Sequence, residues 1–342
     1  MGSIHTDVRP EDRSLLAELV PVAESLLERH VATSKPWYSH EIVPWSLGRD
    51  FVAGEDWSPD DVAIPDPVRS ALFVNLLTED NLPYYFETIN RMFGRNDIWR
   101  TWSHRWTAEE ARHSIAIRDF LLVTRAIDPW VLEDARMGQM SGGEVPQPET
   151  ACDGFVYVAL QELATRISHR NTGKLLQTEM EASGHCAARA GYDVMARVAA
   201  DENFHYLFYR DLTTAAIAVD PSSVVCAIDR QISDFEMPGT GIAGFAEHSR
   251  AIATAGIYNL PIHYSQILAP VVLRHWGLEA IEGLNDEAEM ARARTVKLLG
   301  RLEKAAGRMA ERADRRAARA VEAGTTTTAL DLRDSDTELA SV

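Results

Sequence analysis

The sequence contains the pattern Glu-x-x-His twice, as Glu110-Ala111-Arg112-His113 and as Glu202-Asn203-Phe204-His205, 92 residues apart. Both copies lie in helix-forming sequence. Residues i and i+3 share a helix face, so each copy aims one carboxylate and one imidazole at the same point. Two such helices facing each other build a two-metal site if two further carboxylates arrive from neighbouring helices. The chain offers Glu79 ahead of the first copy and Glu162 between the copies.

The competing reading is a pair of surface helices whose Glu and His residues make solvated ion pairs. Apolar neighbours of both copies (Ile115, Ile117, Val198, Phe204, Leu207) argue that the motif faces are buried. A buried carboxylate needs a cation. Four carboxylates and two imidazoles suit two ions such as iron or manganese. At Glu79, Pro83 has no N–H to give to the Glu79 carbonyl, so the helix should loosen where a ligand must turn inward. Asp80 could take the inward position instead, or the segment could be a helix break only.

Helical periodicity dominates the rest of the chain, and no stretch shows the period-two alternation of a strand. Residues 12–32 read as a helix interrupted near Pro21, and 35–65 as an irregular segment rich in aromatics. A long helix is expected from Pro67 to Phe93, with Asp66 as its N-cap. Another runs from Asp97 to about Arg125, and a short one follows Pro129. Helical sequence then covers Asp153–Arg170 and resumes from Asn171 to Ala218. Further helices begin at Pro221 and Pro261, and a last one spans Asp286–Ala320. The expected fold is therefore all-α: a ferritin-like four-helix bundle with additional helices and a metal site in its core. The 49 residues from His113 to Glu162 suffice for the long crossover that such a bundle requires. Residues 1–323 read as a single domain, and 324–342 as a disordered polar tail.

Composition narrows the partners. A net charge of −17 argues against nucleic-acid binding. No apolar run reaches the roughly 18–20 residues that span a bilayer. The three cysteines, Cys152, Cys186 and Cys226, show neither disulfide nor metal-ligand spacing, and no signal-peptide layout is present, which suits a reducing cytoplasm. The charge is uneven, however. Residues 292–319 carry ten Lys or Arg and three acidic residues. This is either a solvated helix face or a docking patch for an acidic partner.

Four segments together resemble one family: Thr78-Glu79-Asp80-x-Leu82-Pro83, Trp106-Thr107-Ala108-Glu109-Glu110-x-Arg112-His113, Gln161-Glu162-x-Ala164-Thr165-x-Ile167-Ser168-His169-x-Asn171-Thr172, and Ala200-Asp201-Glu202-x-x-His205. They look like the soluble acyl-acyl-carrier-protein desaturases, over roughly residues 30–320. The resemblance implies a di-iron centre of two Fe ions per chain, with Glu110 and Glu202 bridging. Glu79 and His113 would complete one iron, and Glu162 and His205 the other. It implies a threonine beside the oxygen site at Thr165, which reads equally as a core hydroxyl bonded to a backbone carbonyl. Asp201 resembles the carboxylate that holds the opposite histidine, His113. Trp37 matches a tryptophan that relays electrons through that carboxylate; from its own surroundings it reads as a packed aromatic. Trp106 reads as core. The segment from Asn81 to Trp106 is shorter than in the plant enzymes, and that from Glu162 to Glu202 is longer by about two helical turns. Chain length and double-bond position therefore do not carry over.

The resemblance implies an O₂-dependent acyl-acyl-carrier-protein desaturase of fatty acid biosynthesis, supplied with electrons by ferredoxin and assembled as a homodimer. Removing hydrogen from an unactivated methylene is beyond any side-chain base, so the metal must supply the oxidising power and the protein placement and dryness. Thr88 and Met92 are candidate walls of an apolar tunnel, and Arg301, Lys304, Arg308 and Arg312 a candidate docking helix. The alternatives are another di-iron oxidase (a hydroxylase or N-oxygenase) and a non-catalytic ferritin-like iron-binding protein.

Overall fold

The computed structural model describes residues 8–58, 64–95, 97–235, 237, 239 and 241–322. Among these there is no strand. The tail expected at 324–342 lies outside the described residues. Four helices enclose the centre: α3 (Asp66–Glu79), α5 (Asp97–Val123), α7 (Ala151–Ala182) and α8 (Ala188–Val219). Each contacts the next in the cycle α3–α5–α8–α7, closing a bundle. Around them lie α1 (Asp12–Thr33), α2 (Ser39–Ile42), α4 (Leu82–Phe93), α6 (Pro129–Gly142), α9 (Pro221–Ser233) and α10 (Phe245–Thr254). The turn α11 (Leu260–Ile262) runs into a π-helical stretch, His263–His275, and α12 (Asp286–Glu322) ends the described chain.

Local chemistry explains the ends of these helices. Thr150 caps α7: its hydroxyl accepts from Asp153 N at 3.0 Å, and the Asp153 carboxylate accepts from Thr150 N at 3.1 Å. Asp128 and Pro129 start α6, and Asp220 and Pro221 start α9. Buried apolar side chains form two clusters. One is built around Trp102, Phe155 and Phe208, the other around Leu72, Ile117, Phe120 and Val194.

Three expectations about helix boundaries are corrected. Helix α1 is continuous through Pro21. Pro21 and Ala17 both face solvent, so the carbonyl that loses its partner is left to water. The helix expected from Pro67 to Phe93 is two helices, broken at Asp80-Asn81. Beyond the missing N–H of Pro83, the break is held from outside. Arg136 donates to Asp80 at 2.7 and 3.1 Å, and Gln139 donates to Asn81 at 2.6 Å. The division expected at Arg170/Asn171 is absent, because α7 runs on to Ala182. The chain reverses instead at residues 183–187, where Gly184 adopts φ +72°. Of the apolar neighbours of the motifs, Ile117 and Val198 are buried but Ile115 is exposed.

Candidate metal centre

Glu79 sits on the last residue of α3, Glu110 and His113 on α5, Glu162 on α7, and Glu202 and His205 on α8. All six are buried, none more than 6% exposed. Glu79, Glu110, His113 and Glu202 bring ligand-type atoms within 4.8 Å of one another, and so do Glu110, Glu162, Glu202 and His205. Glu110 and Glu202 belong to both groups. The break after α3 settles which acid turns inward: Glu79 joins the cluster, whereas Asp80 pairs with Arg136.

The electrostatics of the cluster call for positive charge. Burial and the charges of Glu110 and Glu162 hold the Glu202 carboxyl well above the usual range, and burial raises Glu110 as well. Burial alone would lower His113 and His205, but Glu110 and the hydrogen-bonded carboxylates push both well above the ordinary imidazole value. Burial would likewise raise Glu79, and hydrogen bonds from His113 and His169 more than reverse it. Even so, Glu162 Oε2 and Glu202 Oε2 are buried without a hydrogen bond, and Glu110 Oε1 and His205 Nδ1 have only each other, as an ion pair at 2.8 Å. Such orphaned atoms are costly unless something else binds them. The set of hard oxygens and imidazole nitrogens fits two iron-type ions.

Each imidazole presents Nδ1 to the cluster and Nε2 to a carboxylate outside it. His113 Nε2 lies 3.3 Å from Asp201, which also accepts from Trp37 Nε1 at 2.9 Å and Arg112 at 2.7 Å. The Trp37 ring lies parallel to His113 with centroids 6.3 Å apart. His205 Nε2 lies 3.0 Å from Glu109, which also meets His30 Nε2 at 2.8 Å and Arg105 at 2.5 Å. Glu109 and His30 were not singled out from sequence. The available signal was the acid preceding both Glu-x-x-His copies, Glu109 and Asp201. Trp106, read as core, is buried but also donates to Glu162 at 3.1 Å. His169, quoted in a motif without a role, lies 3.1 Å from Glu79 and 3.4 Å from Glu202. Thr165 donates to the carbonyls of Gln161 and Glu162 at 3.2 and 3.1 Å, and its side chain also faces a cavity.

That cavity, of about 100 Å³, lies between α3, α7 and α10, with Val74, Phe245, Ile252 and Tyr258 among its walls. It shares Thr78 and Glu79 with a second, water-sized pocket of about 10 Å³ that touches Glu110 and Glu202. The second shares Tyr85, Trp106 and Gln161 with a third, also of about 10 Å³, lined by Thr88, Ile89, Met92 and Val158. The three form a mainly apolar row whose middle is the carboxylate cluster. No helix among the described residues is long and apolar enough to cross a membrane.

An all-α, ferritin-like bundle with a buried carboxylate–histidine centre and an apolar path beside it is the class defined by this fold and site. Comparison with known proteins makes the class specific. The fatty acid desaturase family profile matches residues 11–326, and the chain belongs to that family. It is similar to DesA1 of Mycobacterium tuberculosis, named as an acyl-acyl-carrier-protein desaturase, with 37% identity over 96% of this chain and 97% of the relative. It is also similar to the chloroplastic stearoyl-acyl-carrier-protein 9-desaturase 6 of Arabidopsis thaliana, with 32% identity over 71% of this chain and 63% of that protein. The X-ray structure of DesA2 from Mycobacterium tuberculosis superposes with a TM-score of 0.63 at 27% identity, covering 81% of this chain and 99% of that one.

Proposed function

We propose that the protein desaturates a long-chain acyl group carried on acyl carrier protein, using two iron ions, O₂ and electrons from a ferredoxin-type donor. The observation that carries this reading is the row of small, mainly apolar pockets beside the buried carboxylate–histidine cluster. A storage protein needs the cluster but not the path. The relatives' names support the acyl carrier as substrate.

In this reading Glu110 and Glu202 hold both ions, because they alone belong to both four-residue groups. Glu79 and His113 complete one site, and Glu162 and His205 the other. When bound, the irons supply the oxidising power that unactivated C–H bonds require. The chain's own residues do the rest. Asp201 and Glu109 hold the Nε2 atoms of the histidines, so that each Nδ1 stays aimed at the cluster. Trp37, hydrogen-bonded to Asp201, gives electrons a covalent and hydrogen-bonded route to His113. Thr165 offers a hydroxyl oxygen at the cavity wall, its proton given to the carbonyls of Gln161 and Glu162, and would stand beside bound oxygen. The void walls keep the acyl chain extended and exclude water. We further read residues 1–323 as one domain acting in the cytoplasm as a homodimer.

The test is to reduce iron-loaded protein anaerobically, add O₂ with and without long-chain acyl carrier, and weigh the acyl group. Loss of two hydrogens, with the carrier present, supports the proposal. Gain of an oxygen atom makes the protein a hydroxylase, and an unchanged acyl group removes desaturation.

A further inference from the structure

The two histidines of the cluster are served by parallel devices of unlike composition. On one side the order is Trp37, Asp201, His113; on the other it is His30, Glu109, His205. In each, a carboxylate from the residue before a Glu-x-x-His copy reaches the histidine of the opposite copy, 3.3 Å away for Asp201 and 3.0 Å for Glu109. In each, an α5 arginine adds charge, Arg112 at 2.7 Å and Arg105 at 2.5 Å. In each, an aromatic ring lies nearly parallel to the cluster histidine, at 7° and 6.3 Å for Trp37 and at 14° and 5.8 Å for His30. The difference is the outer ring. An indole N–H can only donate to its carboxylate, and an imidazole can donate from only one nitrogen at a time when neutral. His30 Nδ1 makes no hydrogen bond, so the nitrogen engaged with Glu109 is Nε2 alone.

The geometry points to His30 as the residue that positions His205, acting through Glu109, so that the ion on the His205 side depends on a side chain from α1. The inference rests on the metal-centre reading above. Its physical basis is that a metal-ligating imidazole is oriented by the acceptor on its other nitrogen, and that acceptor must itself be held. Glu109 is held by three groups on three helices: His30 on α1, Arg105 on its own α5, and His205 on α8. Arg105 is an i,i+4 neighbour with a partly exposed side chain. Without His30, Glu109 can swing toward that arginine and leave His205 Nε2 unpaired. Helix α1 thereby becomes part of the metal site rather than a cover over the bundle. His30 also lines a cavity of about 110 Å³ with Leu26, Arg29, Thr33 and Phe204. A small molecule can be offered to the position through this cavity.

The experiment titrates cobalt(II) into metal-free protein and follows both the metal bound per chain and the visible spectrum. Wild type should bind two ions. His30→Leu should keep one and bind the other about 10–100-fold more weakly. The spectral component it loses should match the one lost in His205→Ala and not the one lost in His113→Ala. His30→Gln, which keeps a donor near the Nε2 position, should restore the second ion. Added imidazole should restore it in His30→Gly. Glu109→Gln, which keeps the side chain's shape, should reproduce the defect if His30→Leu fails to fold. The inference is overturned if His30→Leu and Glu109→Gln bind both ions as wild type does. It is also overturned if His30→Gln loses as much as His30→Leu, since packing alone would then explain the effect. Three ions per wild-type chain would make His30 and Glu109 ligands instead. Wild type taking up no cobalt would overturn the centre itself and, with it, this role.

Discussion

Four of the six cluster residues could be read from spacing because helical periodicity is a local rule; Glu79 and Glu162 came from chain order and the family resemblance, with Asp80 left open beside Glu79. Glu110 and His113, like Glu202 and His205, must share a face wherever their helices lie. The groups that hold them could not be read in the same way. His30 meets Glu109 across 79 residues, and Glu109 meets His205 across 96. Nothing in the local pattern around His30 announces either contact. Two predictions belong at this scale. Trp37→Phe removes the donor to Asp201 and the proposed electron route. By the argument made for His30 it should weaken the ion on the His113 side, and in protein loaded with both irons it should slow turnover with an external donor about tenfold or more, as measured by reduction kinetics of the loaded protein. An unchanged rate would return Trp37 to simple packing. The second prediction concerns pH. The buried carboxylates, Glu110 first, raise His113 and His205 against the lowering effect of burial. Both imidazoles must be neutral to bind metal, so loading displaces protons. Metal affinity should therefore fall as pH falls, by about tenfold per pH unit for each proton displaced. A titration with a pH indicator present reads both quantities, and pH-independent binding without proton release contradicts the assignment.

At the scale of elements, the sequence pattern located most helices but misjudged three breaks, two of them, after Glu79 and near Arg170, for a tertiary reason. Pro83 announced a weakness after Glu79. The break became complete only because Arg136 and Gln139 of α6 take hold of Asp80 and Asn81. The division expected near Arg170 did not form, since the buried face of α7 continues through Leu175, Leu176 and Met180. Packing outweighs the local signal there. The α3–α4 corner also explains a glycine. A Cβ at Gly143 would fall well inside contact distance of Asn81 Oδ1 and the Gln139 carbonyl oxygen. Gly143→Ala should therefore destabilise the fold by about 1–3 kcal/mol and loosen the corner that aims Glu79. Denaturant unfolding measures the first effect and metal affinity the second. A variant as stable as wild type would mean that the corner yields freely.

At the scale of the whole molecule, α12 separates two regimes. Its first turns are anchored, with Ala288, Ala291, Thr295 and Leu299 buried and Arg294 paired with Asp229. From Gly307 to Arg319 nearly every residue is exposed. Arg301, Lys304, Arg308 and Arg312 lie on this helix in a chain of net charge −17. The proposed docking of an acidic carrier at this helix rests on such local reversal of charge. Reversing Arg308 and Arg312 to Glu should raise the KM for the acyl carrier without changing iron content. The advantage of carrier-linked substrate should fade as salt shortens the Debye length from about 10 Å at 0.1 M to about 3 Å at 1 M. Unchanged carrier binding at low salt would make the patch a solvated face. Light scattering should report a dimer at micromolar concentration, and a monomer would exclude it. Sequence showed the charge run but not which part of the helix stands clear of the body, because that depends on where α9 and the π-helical stretch end against it.

Everything above depends on two ions held by six named residues. Iron analysis of purified, iron-loaded protein tests this most directly when wild type is set beside Glu110→Ala and His205→Ala. The account predicts close to two irons per chain in wild type. It predicts a sharp fall in both variants, deeper for Glu110→Ala because Glu110 belongs to both groups of ligands. Variants that still load two irons, while keeping the wild-type fold, would contradict it.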